Sequence, residues 1–300
     1  MVHVPVMLNE VLHMLSPFED VELVVDGTLG AGGHSMAILE NCPNAFLIGI
    51  DQDESILAIA KDRLSAFKDR VHFALGNFRD IRSILSDAGF DSAQVFLFDL
   101  GISSLQVDSP ERGFSFNYNG PLDMRMDMGR VCSSLTAADI VNTWSPAELT
   151  MLFRRYGEDP FAFQVARAIC RRREKDGPIM TCEELVEVIR SAIPAPAQRK
   201  MRGHPARRIF QALRIQVNDE MGALEELLDQ LPQIIRRGGK VIFITYHSLE
   251  DRMVKRTMRS WAEAGLGKPV TSRPMVPSEE ELEINRRSRS AKVRCFLFDR

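Results

Sequence analysis

Short, almost uninterrupted apolar runs punctuate the first third of the chain. Glu22 to Asp26 reads ELVVD, Phe46 to Asp51 FLIGID, Val71 to Leu75 VHFAL and Gln94 to Leu100 QVFLFDL. Between them the apolar spacing lengthens to that of a helix. From Glu54 to Phe67, for example, Ile56, Ile59, Ala60, Leu64 and Phe67 fall on one face. Near-continuous apolar strands alternating with amphipathic helices predict a parallel sheet covered on both sides, a doubly wound α/β fold.

The alternation then stops. Gln106 to Gly129 is rich in Gly, Pro, Asp and Asn and carries no period. Helix starts follow at Thr136, Ser145 and Thr181, each with an acid three residues on (Asp139, Glu148, Glu184), the spacing of a capping box. No strand pattern returns before Lys240. Residues 108–206 therefore read as a helical insertion, a candidate substrate-recognition domain. Residues 1–107 and 207–300 form the discontinuous sheet domain. A long amphipathic helix is predicted from Arg207 to Arg236, stopped by Gly238 and Gly239. A fifth strand runs from Lys240 to Tyr246, a helix capped by Ser248 reaches Trp261, and Lys292 to Phe298 closes the sheet at its edge.

Composition narrows the class. Of 300 residues, 45% are apolar and 26% charged, which excludes a disordered chain, a collagen or a simple coiled coil. No apolar run is long enough to span a membrane, and no signal-peptide pattern opens the chain. Cys42, Cys132, Cys170, Cys182 and Cys295 are scattered, with no pairing motif. That argues against a disulfide framework or a bound metal and for a reducing cytoplasm. The net charge of −3 hides two basic stretches without acids. One holds Arg199, Lys200, Arg202, Arg207, Arg208 and Arg214; the other holds Arg286, Arg287, Arg289, Lys292 and Arg294. From charge alone a solvated face is the plainer reading, and a polyanionic partner the sharper one.

The chemistry concentrates at strand ends. Asp26 to Ser35 (DGTLGAGGHS) links the first strand to a helix through glycines that let a ligand approach the backbone. It departs from a dinucleotide fingerprint at Ser35, where Gly or Ala is usual. Asp51 ends the second strand, where an acid can bind the hydroxyls of an adenosine ribose. These features suit either NAD or S-adenosylmethionine. Asp26 and Asp99, at the ends of two more strands, favour the latter: three acids make a crevice for a cation and would repel a pyrophosphate. Phe78, just after the third strand, is placed either to cover an adenine or to pack in the core.

Seven segments then carry a resemblance that runs in order from about His3 to the C-terminus. They are Asp26 to Ser35, Asp99 to Ser104 (DLGISS), Glu111 to Phe116 (ERGFSF), Gly120 to Asp127 (GPLDMRMD), Phe210 to Ile215 (FQALRI), His247 to Arg252 (HSLEDR) and Arg289 to Lys292 (RSAK). Together they resemble the bacterial small-subunit ribosomal RNA cytosine-N4 methyltransferases, the MraW or RsmH family. The resemblance implies a Rossmann-like class I methyltransferase sheet, S-adenosyl-L-methionine as methyl donor, and a cytidine of the 16S decoding region as acceptor. Carried over by position, the cofactor contacts are Gly32, Gly33, His34, Asp51, Phe78, Asp99 and Gln106.

The chain departs from the family pattern at Leu105, Val107, Arg207, Asn285 to Arg287, and Tyr246, where Phe is usual. None of these removes an implied cofactor contact. The changes near 207 and 286 add charge where RNA is expected. Arg207, Arg208, His247, Arg252, Arg287 and Arg289 are accordingly the candidate RNA contacts, and Asp99 the candidate catalytic residue. Asp123, Arg125 and Asp127 are expected to organise their loop, with Met124 and Met126 as packing. His247, Ser248 and Asp251 lie too close together for a hydrolase triad. An NAD-dependent oxidoreductase and a catalytically silent RNA-binding factor are the alternatives from other classes.

Overall fold

The structure, a computed structural model, describes residues 5–127, 135–201 and 203–299. Cys132 and Arg202 lie outside them. Seven strands form one sheet: β1 (Leu23–Asp26), β2 (Phe46–Asp51), β3 (Val71–Leu75), β4 (Ala93–Asp99), β5 (Ile235–Thr245), β6 (Gly267–Pro269) and β7 (Lys292–Phe298). Their spatial order is β3-β2-β1-β4-β5-β7-β6. β1 to β5 run parallel, while β7 is antiparallel to both β5 and β6. The chain winds outward from β1 to β3 and then restarts on the other side with β4. That puts the switch point, where ligands of open α/β sheets bind, between the ends of β1 and β4.

Alternation along the strands explains why the runs are apolar throughout. Val24, Leu47, Val95, Leu97, Ile242 and Val293 face one core, with Ile38, Leu39, Leu57 and Ala60 from the helices Gly33–Asn41 and Glu54–Arg63. Val25, Ile48, Phe96, Phe98, Phe243 and Phe296 face the other. There they meet Leu227, Leu228 and Leu231 of the helix Glu220–Ile234, and Val254 and Trp261 of the helix Ser248–Glu263. Both faces are covered over the central strands, so apolar residues dominate there.

The expectation of a doubly wound sheet holds, with corrections at its right-hand side. β7 does not form the edge. The short strand β6 pairs beyond it, and its Gly-Lys-Pro sequence carries no apolar pattern to announce it. Nor does one helix run from Arg207 to Arg236. It breaks into Arg207–Asn218 and Glu220–Ile234 at Asp219, whose φ of 47° is left-handed. The break leaves the Asn218 amide free to accept from Met126 N–H and donate to the Met124 carbonyl, both at 2.8 Å. Gly238 and Gly239 do not end the helix. They sit inside β5, in an irregularity of its pairing with β4 where Ala93 and Val95 face Ile235 and Lys240.

By contacts the chain divides into two units: Met1–Gly101 with Met221–Arg300, and Ile102–Glu220. The sequence placed these borders at 107/108 and 206/207. The helix Arg207–Asn218 belongs with the insertion because Ile209, Phe210, Leu213 and Val217 bury in that unit's own core. The same core takes in the helices Ala137–Thr143, Pro146–Arg155, Ala162–Asp176 and Cys182–Ala192. Thr136, Ser145 and Thr181 make the capping boxes their spacing predicts. Met124 and Met126 are buried in this core, and Arg125 grips Asp123 with two bonds at 2.9 and 2.7 Å. Among the described residues, no helix is long and apolar enough to cross a membrane.

Candidate active site

The turn after β1 is tied to both neighbouring strands. Gly27 N–H donates to the Leu97 carbonyl of β4 and Leu29 N–H to the Ile50 carbonyl of β2, each at 2.9 Å. Two glycines then have separate reasons to be there. Gly32 caps the next helix at φ 75°, a left-handed conformation that costs other residues energy. Gly33 opens the helix where a Cβ would lie 2.6 Å from Pro5 Cγ. The result is a closely packed turn leading into a helix N-terminus, with Gly32 against Leu64 and Gly33 against Pro5.

Three carboxylates surround this turn, and they are not equivalent. Asp26 is only 2% exposed. Its Oδ2 accepts from the Ser35 hydroxyl at 2.6 Å and its Oδ1 from Thr28 N–H at 3.2 Å. Both its oxygens tie the turn to the helix that follows. This also accounts for Ser35, which departs from the dinucleotide fingerprint because its hydroxyl serves Asp26. Asp51 accepts from Gly30 N–H and Asp53 N–H, both at 2.9 Å, and so holds the glycine turn while remaining partly exposed. Asp99 is partly exposed as well, its side chain at 25%. Its backbone N–H donates to Thr28 Oγ1 at 2.6 Å, and its Oδ1 accepts from the Tyr246 hydroxyl at 2.6 Å.

Among the described residues, no lysine or arginine pairs with any of these acids; the nearest basic group is His34, whose Nδ1 is 3.8 Å from Asp99 Oδ2. Burial pushes all three carboxyls above the usual range, Asp51 to about 6 and Asp99 to about 7. His34 is buried too, and burial lowers its pKa. Its Nε2 lies 2.9 Å from the Val6 carbonyl, which can only accept, so the neutral ring carries its proton there and turns a lone pair toward Asp99. A crevice of buried acids without a fixed cation is electrostatically incomplete, and a cationic ligand completes it.

The other expected residues fall into place unevenly. Phe78 follows β3 and packs half-buried, edge-on to Phe98 at 6.0 Å, one residue beyond the Asn77 amide that donates to Gln52 beside Asp51. Gln106 lies in the second unit, buried, with its side-chain oxygen accepting from Ser103 N–H at 3.1 Å in a capping box. His247, not Ser248, is the N-cap of the helix Ser248–Glu263: its Nδ1 accepts from Glu250 N–H while Glu250 Oε2 accepts from Tyr246 and His247 N–H. Asp251 is held between Lys292 and Arg294 of β7 at 2.9 and 2.8 Å, which leaves no triad. Arg252, Arg287 and Arg289 are exposed in the first unit, and Arg207 and Arg208 in the second.

Sequence reasoning missed Thr28 and gave Tyr246 no part. Position alone, at a strand end beside Asp99, was the signal for Tyr246; Thr28 gave none beyond lying in the glycine turn. The described cysteines, Cys42, Cys170, Cys182 and Cys295, are free and buried in the cores, none of them in the crevice.

A profile of the MraW methylase family matches residues 1–298. The chain is similar to the protein named ribosomal RNA small subunit methyltransferase H in Carboxydothermus hydrogenoformans, 46% identical over 98% of this chain and 96% of that protein. Its namesakes in Symbiobacterium thermophilum and Thermobifida fusca are 44% and 43% identical, again over 98% of this chain and over 96% and 92% of theirs.

Proposed function

The chain belongs to the MraW methylase family, and from that premise we propose that it transfers a methyl group from S-adenosyl-L-methionine to the exocyclic N4 amine of a cytidine in the decoding region of 16S ribosomal RNA. The observation that carries the reading is the crevice itself, three raised carboxylates around a glycine turn with no fixed cation among the described residues. That donor set fits a ligand with a sulfonium and an ammonium and opposes a pyrophosphate. Gly32, Gly33 and Asp51 would hold the adenosine part beside Phe78, with Asp99 and His34 near the charged part. When bound, S-adenosylmethionine supplies a methyl group activated by its sulfonium.

The protein's own task is alignment and charge control. The lone pair of a cytosine N4 is conjugated with the ring, so attack requires the amine to be held in line with the methyl carbon. Positive charge grows on the amine as it attacks, and one of its protons must leave. Asp99, at the end of β4 and held near neutrality, is the group to accept that proton. A base inside folded RNA has to be extruded to reach such a site. The exposed arginines 207, 208, 287 and 289, with Arg252 and His247, are the groups for the RNA backbone around it. Ribosomal RNA as acceptor supports a reaction within the small subunit, in the cytoplasm.

Among the described residues the crevice holds no cysteine, and this supports one choice of atom. Methylating C5 needs a nucleophile, normally a cysteine thiolate, to add to the ring first. The described cysteines are buried away from the crevice, and burial pushes Cys295 up to about 12 and Cys182 to about 11. An exocyclic amine needs no such adduct. The test is single-turnover methyl transfer to small ribosomal subunits, with chromatography and mass spectrometry of the nucleosides. N4-methylcytidine is expected. Appearance of 5-methylcytidine, abolished by changing one cysteine to Ser, overturns the mechanism, and absence of transfer in the presence of bound cofactor favours a silent RNA-binding factor.

A further inference from the structure

Tyr246 is the first residue beyond β5, and β5 pairs in parallel with β4 so that Ile244 lies opposite Asp99. The tyrosine is fixed from two sides. Its backbone N–H donates to Glu250 Oε2 at 2.9 Å, and its ring packs against the core beneath the glycine turn. Its hydroxyl reaches back to donate to Asp99 Oδ1 at 2.6 Å. The other Asp99 oxygen has a different environment. Oδ2 faces His34 Nδ1 at 3.8 Å, across a gap too long for a hydrogen bond and from a nitrogen whose ring proton is engaged at Val6. Among the described residues Oδ2 therefore has no donor.

We infer that Tyr246 is a positioning residue for the reaction: by occupying Oδ1 it fixes the rotation of the Asp99 carboxylate and leaves Oδ2 as the oxygen offered to the reacting amine. The inference rests on the proposed role of Asp99 as acceptor of the amine proton. Four ionisable groups face Asp99: Tyr246 and Glu250 from the end of β5 and the following helix, His34 from the helix Gly33–Asn41, and Asp26 from β1. Burial opposes its ionisation, as does Glu250, and Tyr246 is the neighbour whose hydrogen bond favours it. Removing that hydroxyl leaves a carboxyl that ionises only at higher pH.

Tyr246→Phe removes the hydroxyl and little else, and unchanged thermal unfolding would confirm that. Two profiles are then compared with the parent: kcat against pH on small ribosomal subunits at saturating S-adenosylmethionine, and S-adenosylhomocysteine affinity against pH by calorimetry. A hydrogen bond to a charged group corresponds to about one to two pH units, or roughly ten- to a hundredfold on the acid side. The acid limb of both profiles should move up by that amount, and the rate should return to within about twofold of the parent on the alkaline plateau. In an Asp99→Asn background the same change should move neither profile. A uniform drop in kcat at every pH, or an unmoved limb, overturns the inference. If the parent itself fails to methylate small subunits, the proposed function falls, while the pH shift in S-adenosylhomocysteine affinity still decides whether Tyr246 governs Asp99.

Discussion

Replacing Asp99 by Asn should stabilise the ligand-free protein at pH 8 far more than at pH 4.5. Burial holds the Asp99 carboxyl at about 7 against an ordinary 3.8. A pKa raised by folding means that the folded chain keeps the proton while the unfolded chain has lost it. The stability this group contributes is thus complete below about pH 4 and lost as pH rises through 7. At about 1.4 kcal/mol per unit, the loss across the window is about 4 kcal/mol, an upper figure for a side chain that is 25% exposed. Asn carries no charge at any pH, and its Oδ1 can still accept from Tyr246. The gap between variant and parent should therefore widen from about 1 kcal/mol at pH 4.5 to about 4 kcal/mol at pH 8. The difference matters more than either curve. Asp51, at about 6, adds a slope of the same sign, whereas Asp123 and Asp251, held low by their basic partners, add slopes of the opposite sign. Urea unfolding at both pH values measures it. Following Trp261 in a Trp144→Phe background keeps the signal on the sheet unit, because Trp144 belongs to the other. Parallel stability curves, with the same gap at both pH values, would refute the claim that burial raises Asp99.

Asp51→Ala should weaken S-adenosylmethionine binding by roughly 1.5 to 3 kcal/mol, about tenfold or more by calorimetry. Because Asp51 also accepts from Gly30 and Asp53 N–H, faster amide exchange of the glycine turn should accompany it; unchanged affinity removes Asp51 from the site. Replacing Arg207, Arg208, Arg287 and Arg289 together by Ala should weaken RNA binding and flatten its dependence on salt while cofactor affinity survives. A parental salt slope would make these arginines a solvated surface. Asp251→Ala should cost about 2 to 3 kcal/mol in urea unfolding at pH 7, since Lys292 and Arg294 lose their shared partner. That cost should shrink below pH 4 as the parent's own Asp251 protonates, and a cost independent of pH would point to packing instead.

Apolar runs made β2, β3 and β7 legible to the residue. Caps were legible where a hydroxyl and an acid share a spacing, at Thr136, Ser145 and Thr181. The cap before Ser248 was not, because His247 does a hydroxyl's work with a ring nitrogen. Features that depend on a distant partner were hidden. Asp219 turns left-handed beside Asn218, whose amide bonds Met124 and Met126 in another segment, and a continuous amphipathic pattern cannot reveal that. The helix Arg207–Asn218 displays an apolar face but not which core receives it, so the border between units was misplaced. In the crevice the acids announced themselves by ending strands, but their roles did not. Only the hydrogen bonds from Ser35 and Thr28 separate a structural Asp26 from an available Asp99.

That separation bears on why the chain keeps acids that cost it stability. Asp26, Asp51 and Asp99 are each raised by burial, so each is a liability in the free protein at neutral pH. A pyrophosphate would add to the same repulsion. On the proposed reading a sulfonium reverses its sign for Asp51 and Asp99, whose cost of ionisation is offset by the incoming charge. The reversal is also asymmetric along the reaction. Once the methyl group has left, the thioether that remains is uncharged, and the crevice retains only its attraction for the ammonium. The same carboxylates that favour entry of the donor thus hold the product more weakly. On the proposed reading Asp99 is the acid through which that difference acts, since among the described residues its Oδ2 has no donor.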